Sequence, residues 1–450
     1  MSAVFAPRIA EHLSRGPASA AELCRVLEIS QPSLSRALRP LEAAGTVVRF
    51  GATRGARYGL AHVIGTIGSH WPLYRIDETG TPLELGTLHA VERDAYYARG
   101  GPVRVAGFSE GLPYYLQDLR PAGFLGRAIP AAYPELALPA RVRDWTDEHV
   151  LTYLTRRGSE AIGDLMLGQE ALNRYLSDQH GPPIINADAR PTRYPELADQ
   201  AMAGAPPGSS AHGEHPKFSV RIRQGTQLIH ALVKFSPPRG GTLGERWADL
   251  LIAEGVASEF LGSQGIPAAT NRVLEHGNRV FLESWRFDRM GGVGRRGVAT
   301  LFSVDVSLYG KLDRWSASAA RLQRDGLLAP QDAARIALLE AFGGLIANTD
   351  RHFGNITLFD GRDGPFSLAP VYDMLPMLFA PIDGQLIERE FVPEGARAET
   401  FTMWPRAREL ALGYWTRLVE DTRLTPDFRT RCRACLGMVE QLGSLGRGMP

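Results

Sequence analysis

The sequence predicts an α+β protein, with a small winged helix-turn-helix at the N-terminus followed by a two-lobed domain whose C-terminal lobe is largely helical. Three observations support this prediction. Residues 1–62 have the pattern of three short helices and two strands. An apolar strand at residues 231–235 is followed by a long helical pattern. A strong helix at residues 330–346 leads into a short polar stretch and then a hairpin.

The N-terminal unit is predicted to span residues 1–62. Ser19 and Glu22 form a capping-box pattern that opens a second helix, and Pro32 suits the first turn of a third. Two strands then follow, separated by a glycine-containing tip. This order of elements is typical of a winged helix-turn-helix. The rest of the chain is predicted to divide into an N-terminal lobe at 63–285 and a C-terminal lobe at 286–450.

Basic side chains are concentrated in the N-terminal unit. Eight arginines against four glutamates give residues 1–62 a net charge of +4, whereas the remainder has 42 basic and 45 acidic residues, a net charge of −3. A basic patch on a nearly neutral chain suits contact with a phosphate backbone, so we expect this unit to bind double-stranded DNA. The candidate contacts, on the third helix and the wing, are Gln31, Ser33, Arg36, Arg39, Arg54 and Arg57. The alternative is a winged helix that serves only protein contact or dimerisation.

The residues between this unit and the apolar strand at 231–235 give weaker indications of structure and function. Strand-like runs and glycine-rich turns fill residues 63–125, and residues 144–180 have a helical pattern. Residues 181–211 contain six prolines and are predicted to form a loop.

Lysine is rare in this chain, and two of its positions fall in the candidate site. Of 50 basic residues, only Lys217, Lys234 and Lys311 are lysines. A position that has kept lysine is a candidate for needing a compact ammonium group in place of a planar guanidinium. Lys234 lies on the apolar strand, where kinases place the lysine that contacts nucleotide phosphates. Glu245 and Glu254 lie on the following helix, the equivalent of the helix that supplies the glutamate partner of this lysine in kinases.

The most informative stretch follows the long helix of the C-terminal lobe. Asp350 and Asn355 are five positions apart, the spacing of the catalytic-loop aspartate and metal-binding asparagine of protein kinases. Strand patterns at 356–359 and 366–369 predict a hairpin that brings Asp373 back close to Asp350 and Asn355. Two carboxylates and a carboxamide suit a hard cation that also binds nucleotide phosphates, so the residues predict phosphoryl transfer from ATP with Mg²⁺. Ordinary turn residues are the alternative, although a cluster directly after a strong helix fits it poorly.

These motifs resemble the HipA family of serine/threonine kinases, the toxins of bacterial toxin–antitoxin systems. The similarity rests on the Asn-Thr-Asp-Arg-His-Phe-Gly-Asn stretch at 348–355, on Tyr372-Asp373 and on Arg-Phe-Asp-Arg at 286–289. It implies a HipA/protein-kinase-like fold in which Asp350 is catalytic and Asn355 and Asp373 bind the metal. It also makes Glu254 the first candidate for the carboxylate partner of Lys234 and Glu245 the second. It also implies a set of nucleotide-binding residues: His212, Gly213, Glu214, His215, Lys217, Lys234, Glu254, Trp285, Phe287, His352, Asn355, Tyr372 and Asp373.

The segment before Lys217 resembles the loop that covers the phosphates in the HipA family. Ser210 and Gly213 match its serine and glycine, and the resemblance implies autophosphorylation of Ser210. Backbone amides beside a glycine can approach phosphates closely. Trp285 departs from the family, which often has glutamate there. Because adenine is recognised mostly through backbone groups at such a hinge, the departure affects the expected side-chain contacts more than nucleotide binding.

The resemblance implies a protein kinase that transfers the γ-phosphate of ATP to a serine or threonine of an unidentified protein and acts as a growth-inhibiting toxin. An antitoxin is a further expected partner, and the fused DNA-binding unit suggests self-control. Two alternatives stay open. One is a small-molecule kinase related to aminoglycoside phosphotransferases, which use a similar Asp-x-x-x-x-Asn loop. The other is a transcriptional regulator whose kinase-like part only senses a ligand.

The composition argues against a membrane-spanning protein and against a protein that depends on disulfides for stability. No run of residues is apolar enough to span a membrane, and the N-terminus lacks the pattern of a signal peptide. Cys24, Cys432 and Cys435 are too few for a disulfide framework. We therefore expect a cytoplasmic protein with no membrane partner.

Overall fold

The computed structural model describes residues 2–51, 55–92, 94–101, 107–177, 181–204, 215–361 and 363–445. The chain divides into two compact units. The first comprises Met1–Asp77, Thr81–Arg120 and Asp144–Gly181, and the second comprises Glu78–Gly80, Pro121–Arg143 and Pro182–Pro450. Within the described ranges, none of the helices has both the length and the apolar character that a bilayer crossing requires.

Helices and strands alternate irregularly along the chain. The helices are α1 Ser2–Leu13, α2 Ala20–Leu27, α3 Gln31–Ala43, α4 Tyr114–Gln117, α5 Gly123–Arg127, α6 Ile129–Ala132, α7 Asp147–Arg157, α8 Gln169–Ser177, α9 Arg190–Ala203, α10 Thr242–Ser263, α11 Leu301–Leu308, α12 Trp315–Arg324, α13 Pro330–Leu345, α14 Trp404–Glu420 and α15 Pro426–Leu445. The strands are β1 Ala18–Ser19, β2 Val47–Phe50, β3 Arg57–Leu60, β4 His70–Ile76, β5 Pro82–Glu92, β6 Ala95–Arg99, β7 Gly107–Glu110, β8 Leu165–Leu167, β9 Ile184–Asn186, β10 Lys217–Gln224, β11 Gln227–Phe235, β12 Asn271–His276, β13 Arg279–Trp285, β14 Arg289–Met290, β15 Gly294–Arg295, β16 Val298–Thr300, β17 Thr357–Phe359 and β18 Ser367–Leu368.

The first unit begins with the winged helix-turn-helix that the sequence predicts. α1, α2 and α3 share an apolar core with the antiparallel sheet β1-β3-β2, and this core includes Ile9, Leu23 and Tyr58. The predicted capping box is present at the start of α2. The N–H of Ser19 donates to the Glu22 carboxylate at 2.7 Å, and the N–H of Glu22 donates to Ser19 Oγ at 3.2 Å. This local signal starts α2, the helix that precedes α3, on which the predicted DNA contacts lie.

The remainder of the first unit is a second sheet with helices packed beside it. Its strand order is β7-β6-β5-β4-β8, and α7 and α8 contact β8. Leu73, Leu88 and Met166 are buried in this part of the unit. The side chain of Asp164 is fully buried and forms an ion pair with Arg75 at 3.2 Å.

The second unit contains a five-stranded sheet of order β12-β13-β11-β10-β9. Successive residues of a strand point to opposite faces, and helices cover both faces here. On β13, Phe281 contacts Tyr194 of α9, whereas Leu282 lies beside Gly255 of α10. β10 and β11 pair so that Lys217 is directly opposite Lys234. The sheet and α10 together place both lysines.

The prediction of a loop over residues 181–211 is wrong for its described part, because residues 184–186 form β9 and residues 190–203 form α9. Pro191 occupies the first turn of α9, where a missing N–H costs nothing. The helix is held by a buried cluster that the local sequence does not indicate: Arg190 Nε donates to Glu283 at 2.7 Å, and the Tyr194 hydroxyl donates to the same carboxylate at 2.6 Å. Tertiary contacts therefore outweigh the proline content.

The C-terminal part of the second unit is built mainly from α11 to α15. Its core includes Phe342, Tyr414 and Trp415, which come from α13 and α14. The predicted hairpin is present as β17 and β18, with Leu358 paired to Leu368. β16 adds a third strand that sequence reasoning did not identify. The β17–β18 hairpin follows the loop after α13 and returns the chain towards it.

Candidate active site

Lys234 lies at the centre of the candidate active site. Its ammonium group donates to both carboxylate oxygens of Glu254, at 2.7 and 2.8 Å, and also contacts Oδ1 of Asp373. Glu254 comes from α10 and is only 1 % exposed. Glu245, the second candidate for this pairing, instead accepts a hydrogen bond from the N–H of Gly240 at 3.1 Å. The structure thus joins one lysine to two carboxylates from distant parts of the chain.

A cavity of about 140 Å³ opens beside this cluster. Lys217 lines it together with Lys234, because directly opposite residues of an antiparallel pair share a face. The ring of His215 packs against Trp247 with centroids 4.5 Å apart. Burial, together with the charges of Lys234 and Lys217, lowers the pKa of His215 to about 3, so the imidazole is neutral at physiological pH. The cavity therefore presents two ammonium groups beside a neutral aromatic wall.

The loop after α13 is held by two side-chain amides. Asn348 is buried; its Oδ1 accepts from the N–H of Asp350 at 3.0 Å, and its Nδ2 donates to the carbonyl oxygen of Asp373 at 3.3 Å. Asn355 Nδ2 donates to the carbonyl oxygen of Asp350 at 2.7 Å. These bonds fix Asp350 and Asp373 relative to each other.

The hairpin after Asn355 delivers Asp373 to this loop. The hydroxyl of Tyr372 donates to the carbonyl oxygen of Gly354 at 2.8 Å and lies 2.8 Å from Thr357 Oγ1. Asp373 has a φ of 55°, a left-handed conformation that residues other than glycine rarely adopt and that recurs at functional sites. In this conformation its carboxylate reaches Lys234.

The ionisable side chains around Lys234 have pKa values that are shifted in different directions. Burial lowers the pKa of the Lys234 ammonium, but Asp373 and Glu254 outweigh burial and hold it above its ordinary value. Burial tends to raise the pKa of Asp373, yet Lys234 and Lys217 hold it below its usual range. Burial raises the pKa of Glu254 to about 7, although Lys234 opposes the shift. Desolvation also raises the pKa of Asp350. Asp373 therefore stays ionised at neutral pH, while Glu254 titrates there.

The donor atoms fit a magnesium ion that is shared with a nucleotide. In the part of the chain that the structure describes, no group of three or more His, Cys, Asp or Glu side chains could hold a metal by itself. Asp373 offers a carboxylate, and Asn355 offers its amide oxygen because its nitrogen already bonds Asp350. Mg²⁺ commonly takes one or two carboxylates and completes its shell with water and substrate phosphates. Lys217 and Lys234 would neutralise those phosphates.

Some predicted nucleotide contacts lie away from the cavity. Trp285 donates from Nε1 to Glu283 at 3.0 Å and packs in the core on the α9 side. Phe287 and Tyr372 pack against each other with centroids 6.0 Å apart. Of the described residues predicted to bind nucleotide, these three and Asn355 do not line the cavity, whereas His352 does. The residues Ser210, His212, Gly213 and Glu214 lie outside the described part of the chain.

Four residues that line the cavity were not identified from the sequence. Trp247 and Leu251 precede Glu254 by seven and three positions on α10, so all three share one helix face. Helical spacing from Glu254 could have found them. Leu375 and Met377 follow Asp373 in a segment without helix or strand periodicity, so no comparable signal exists for them.

Arg351, the neighbour of Asp350, is anchored by an ion pair that the sequence does not indicate. Its guanidinium contacts Glu394 and donates to the carbonyl oxygen of Asn348 at 2.5 Å. Gly344 leaves room for this arrangement, since a Cβ there would come within 2.9 Å of the Glu394 side chain. The segment after Asp373 thus supports the loop that contains Asp350.

The predicted DNA-contacting residues lie on the winged helix of the first unit. Exposed residues on α3 include Gln31, Arg36 and Arg39. Arg36 also donates to the hydroxyl of Ser33 at 3.3 Å. Arg57 is exposed on β3, and Arg54 lies outside the described residues. α3 therefore presents two arginines on its solvent face.

Three family models match consecutive parts of the chain. Residues 6–57 match the MarR family, residues 67–176 match the middle domain of YjjJ-like toxins, and residues 209–434 match the HipA-like C-terminal domain. The last match covers half of the chain and contains every residue of the Lys234 cluster.

A curated relative and a solved structure agree with these matches. The chain is 36% identical over 420 residues to toxin YjjJ of Escherichia coli strain K12, an alignment that covers 93% of this chain and 94% of that protein. It also superposes on a chain from the Shewanella oneidensis MR-1 complex of HipA, HipB and operator DNA, with a TM-score of 0.55, 14% identity and coverage of 82% of this chain and 97% of that one. At this identity the structural match shows the fold alone. The predicted fold class and family are confirmed, and the chain belongs to the HipA-like toxins that carry a fused N-terminal winged helix.

Proposed function

We propose that the protein is an ATP-dependent kinase that phosphorylates serine or threonine in a protein substrate. The observation that carries this proposal is the convergence of Lys234, Glu254 and Asp373 beside the loop that contains Asp350 and Asn355. A lysine paired with a helix glutamate is the arrangement that kinases require around the phosphates. Membership of the HipA-like family supports the same conclusion.

When bound, Mg-ATP would supply the phosphoryl group and a cation that neutralises charge on the phosphate oxygens. Asp373 and Asn355 would hold this cation, and Lys234 and Lys217 would position the phosphates. The acceptor hydroxyl oxygen bonds to the γ-phosphorus as the bond from that phosphorus to the bridging oxygen breaks. ADP leaves with the electron pair of the broken bond. Asp350 orients the hydroxyl and takes its proton, for which a raised pKa is favourable.

The decisive experiment is incubation of the purified full-length protein with labelled ATP and magnesium, in the presence of protein extract or of hydroxylated metabolites. The proposal expects label on protein serine or threonine and its loss in Asp350→Ala and Asp373→Asn variants that remain folded. Label on small molecules alone would favour the aminoglycoside-phosphotransferase alternative. ATP binding without any turnover would favour a ligand-sensing regulator.

We also propose that the winged helix binds double-stranded DNA. The exposed arginines of α3 and the net charge of +4 over residues 1–62 support this. The Shewanella complex contains HipB and operator DNA, so an antitoxin partner is proposed here as well. Purification of the tagged chain from its native host at chromosomal expression level tests this. Absence of a stoichiometric partner would remove the antitoxin proposal.

Autophosphorylation of Ser210 stays a proposal that rests on the family resemblance. Phosphate on Ser210 would add nearly two negative charges at neutral pH to the segment that precedes Lys217. These charges would repel the phosphates of ATP. Mass spectrometry of the active enzyme after prolonged incubation with ATP should find the phosphate, and Ser210→Asp should weaken ATP binding.

A further inference from the structure

A second cavity shares Asp350 and His352 with the cavity beside Lys234. Its volume is about 460 Å³, and its wall also contains Arg314, Arg351 and Arg397. Phosphoryl transfer requires the donor and the acceptor to meet at the catalytic aspartate. Since the smaller cavity has the two lysines, the larger one is the place available for the acceptor.

Two arginines of this wall, Arg314 and Arg397, have incomplete ion pairs. Arg351 and Arg397 share one carboxylate, that of Glu394, with Arg397 at 3.0 Å. Arg314 lies 3.6 Å from Glu340, too far for a short hydrogen bond. The side chains of Arg314 and Arg397 are 39% and 40% exposed, so each guanidinium group is accessible to a further anionic group.

The carboxylates of the wall are already engaged. Asp313 is bound by Arg321 at 2.8 Å, and hydrogen bonds from that guanidinium hold the pKa of Asp313 far below its ordinary value. Glu340 is mostly buried and accepts from the N–H of Ser316 at 2.7 Å. Because these carboxylates are engaged, they offer little to a basic ligand.

The segment that supplies Glu394 and Arg397 has the character of a protein-binding surface. Residues 380–400 contain no helix or regular strand, and they expose Ile387 and Val392, with Phe401 exposed just beyond. The segment is fixed where it meets the cavity, because Trp404 Nε1 donates to the carbonyl oxygen of Glu394 at 3.0 Å. Exposed apolar groups on the segment that supplies Arg397 suit contact with a polypeptide.

Resting on the proposed kinase function, we propose that the larger cavity binds the acceptor segment of a protein substrate, and that Arg314 and Arg397 select a serine or threonine flanked by aspartate or glutamate. Glu394 is a positioning residue, which holds Arg351 and Arg397 in the cavity wall. A carboxylate of the substrate pairs with Arg397, which otherwise shares the Glu394 carboxylate with Arg351.

Three synthetic peptides with a central serine flanked by aspartate, glutamine or lysine test this proposal. Fluorescence anisotropy measures their binding to the full-length protein with magnesium and a non-hydrolysable ATP analogue, and labelled ATP measures transfer. We expect the aspartate peptide to bind at least about fivefold more tightly than the lysine peptide, the ratio given by roughly 1 kcal/mol of ion pairing. Arg397→Glu should reverse this order. The matched control is Arg324→Glu, a charge reversal on an exposed arginine outside the cavity wall, which should leave the order unchanged.

The binding and transfer measurements separate the two proposals. Equal binding of the three peptides, or an unchanged order in Arg397→Glu, would overturn the acidic preference even if transfer occurs. Charge-selective binding without transfer would keep the cavity as a site for acidic polypeptides and overturn the kinase function. Displacement of the aspartate peptide by an RNA oligonucleotide of equal length, with transfer to the RNA, would replace the polypeptide assignment.

Discussion

At the scale of single residues, we expect the role of Lys234 to depend on the compact shape of its ammonium group as well as on its charge. A compact ammonium group bonds two carboxylates at once, and a planar guanidinium has a different reach and donor geometry. We predict that Lys234→Arg lowers ATP affinity at least about tenfold, the ratio given by roughly 1.4 kcal/mol. Isothermal titration calorimetry with Mg-ATP measures this. The matched control is Lys311→Arg, since Lys311 is exposed and does not line either cavity.

Near-normal ATP affinity in Lys234→Arg would show that any cation suffices at this position. Loss of affinity in both variants would point to a general effect of replacing lysine. Either result would contradict the assignment of Lys234 as the phosphate-contacting lysine.

Glu254 makes stability depend on pH, because its pKa is raised from 4.5 to about 7 in the folded protein. A raised pKa means that the folded state holds the proton more tightly than the unfolded state. Its contribution to stability is therefore complete below pH 4.5 and is lost as the pH rises through about 7. We predict that the unfolding free energy of the wild type, minus that of Glu254→Gln, falls between roughly pH 5 and 8.

Urea denaturation of both proteins across this range measures the difference, and glutamine provides a similar shape without a titrating group. The other titrating groups are common to both proteins and largely cancel in the subtraction. A difference that is constant, or that grows with pH, would mean that Glu254 is ionised throughout.

At the scale of elements, α10 must lie close to the sheet for Glu254 to reach Lys234. Gly255, the next residue, allows this approach, because a Cβ there would come within 2.5 Å of Val273 Cγ2. We predict that Gly255→Ala destabilises the protein by about 1–3 kcal/mol through overpacking and lowers phosphoryl transfer by displacing Glu254. Thermal unfolding and the labelled-ATP assay measure the two effects.

Gly262 on the same helix is the matched control, since no atom lies within 4 Å of a Cβ built there. Gly262→Ala should preserve activity and raise stability by up to about 1 kcal/mol, the helix-propensity gain of alanine over glycine. Equal behaviour of the two variants would indicate that the approach of α10 to the sheet does not control the site.

At the scale of the whole molecule, the chain joins a basic winged helix to a HipA-like domain. We predict that the full-length protein binds duplex DNA with an affinity that falls steeply with salt, because phosphate contacts release counterions. Arg36→Glu combined with Arg39→Glu should weaken binding and reduce the slope of log affinity against log salt. Electrophoretic mobility shift or anisotropy at several salt concentrations measures both quantities.

Arg15→Glu is the control for charge alone, because Arg15 is exposed in the same unit but lies outside α3. It should affect binding less than reversal of either α3 arginine alone. Equal losses would mean that net charge, and not the α3 surface, governs binding. Absence of binding at low salt would remove the DNA-binding proposal and favour a role in protein contact.

Much of the fold and the central residues of the site followed from local patterns. The Ser19–Glu22 capping box, the strand around Lys234 and the hairpin between Asn355 and Asp373 each arise from interactions between residues close in sequence. Spacing was sufficient there because helix, strand and turn geometry fix which neighbours meet. The sequence by itself determined the fold class and identified the residues that form the cluster.

Tertiary structure decided which distant groups pair and where the chain overrides its local preference. α9 forms despite two prolines because Arg190 and Tyr194 both bond the buried Glu283. Glu283 lies 93 residues after Arg190 and 89 residues after Tyr194. Glu394 reaches Arg351 across 43 residues of chain, through an irregular segment that has no periodicity to interpret. Burial, which only the complete fold creates, also sets the pKa of Glu254. Such long-range contacts depend on how the elements pack, and a local pattern contains no information about that packing.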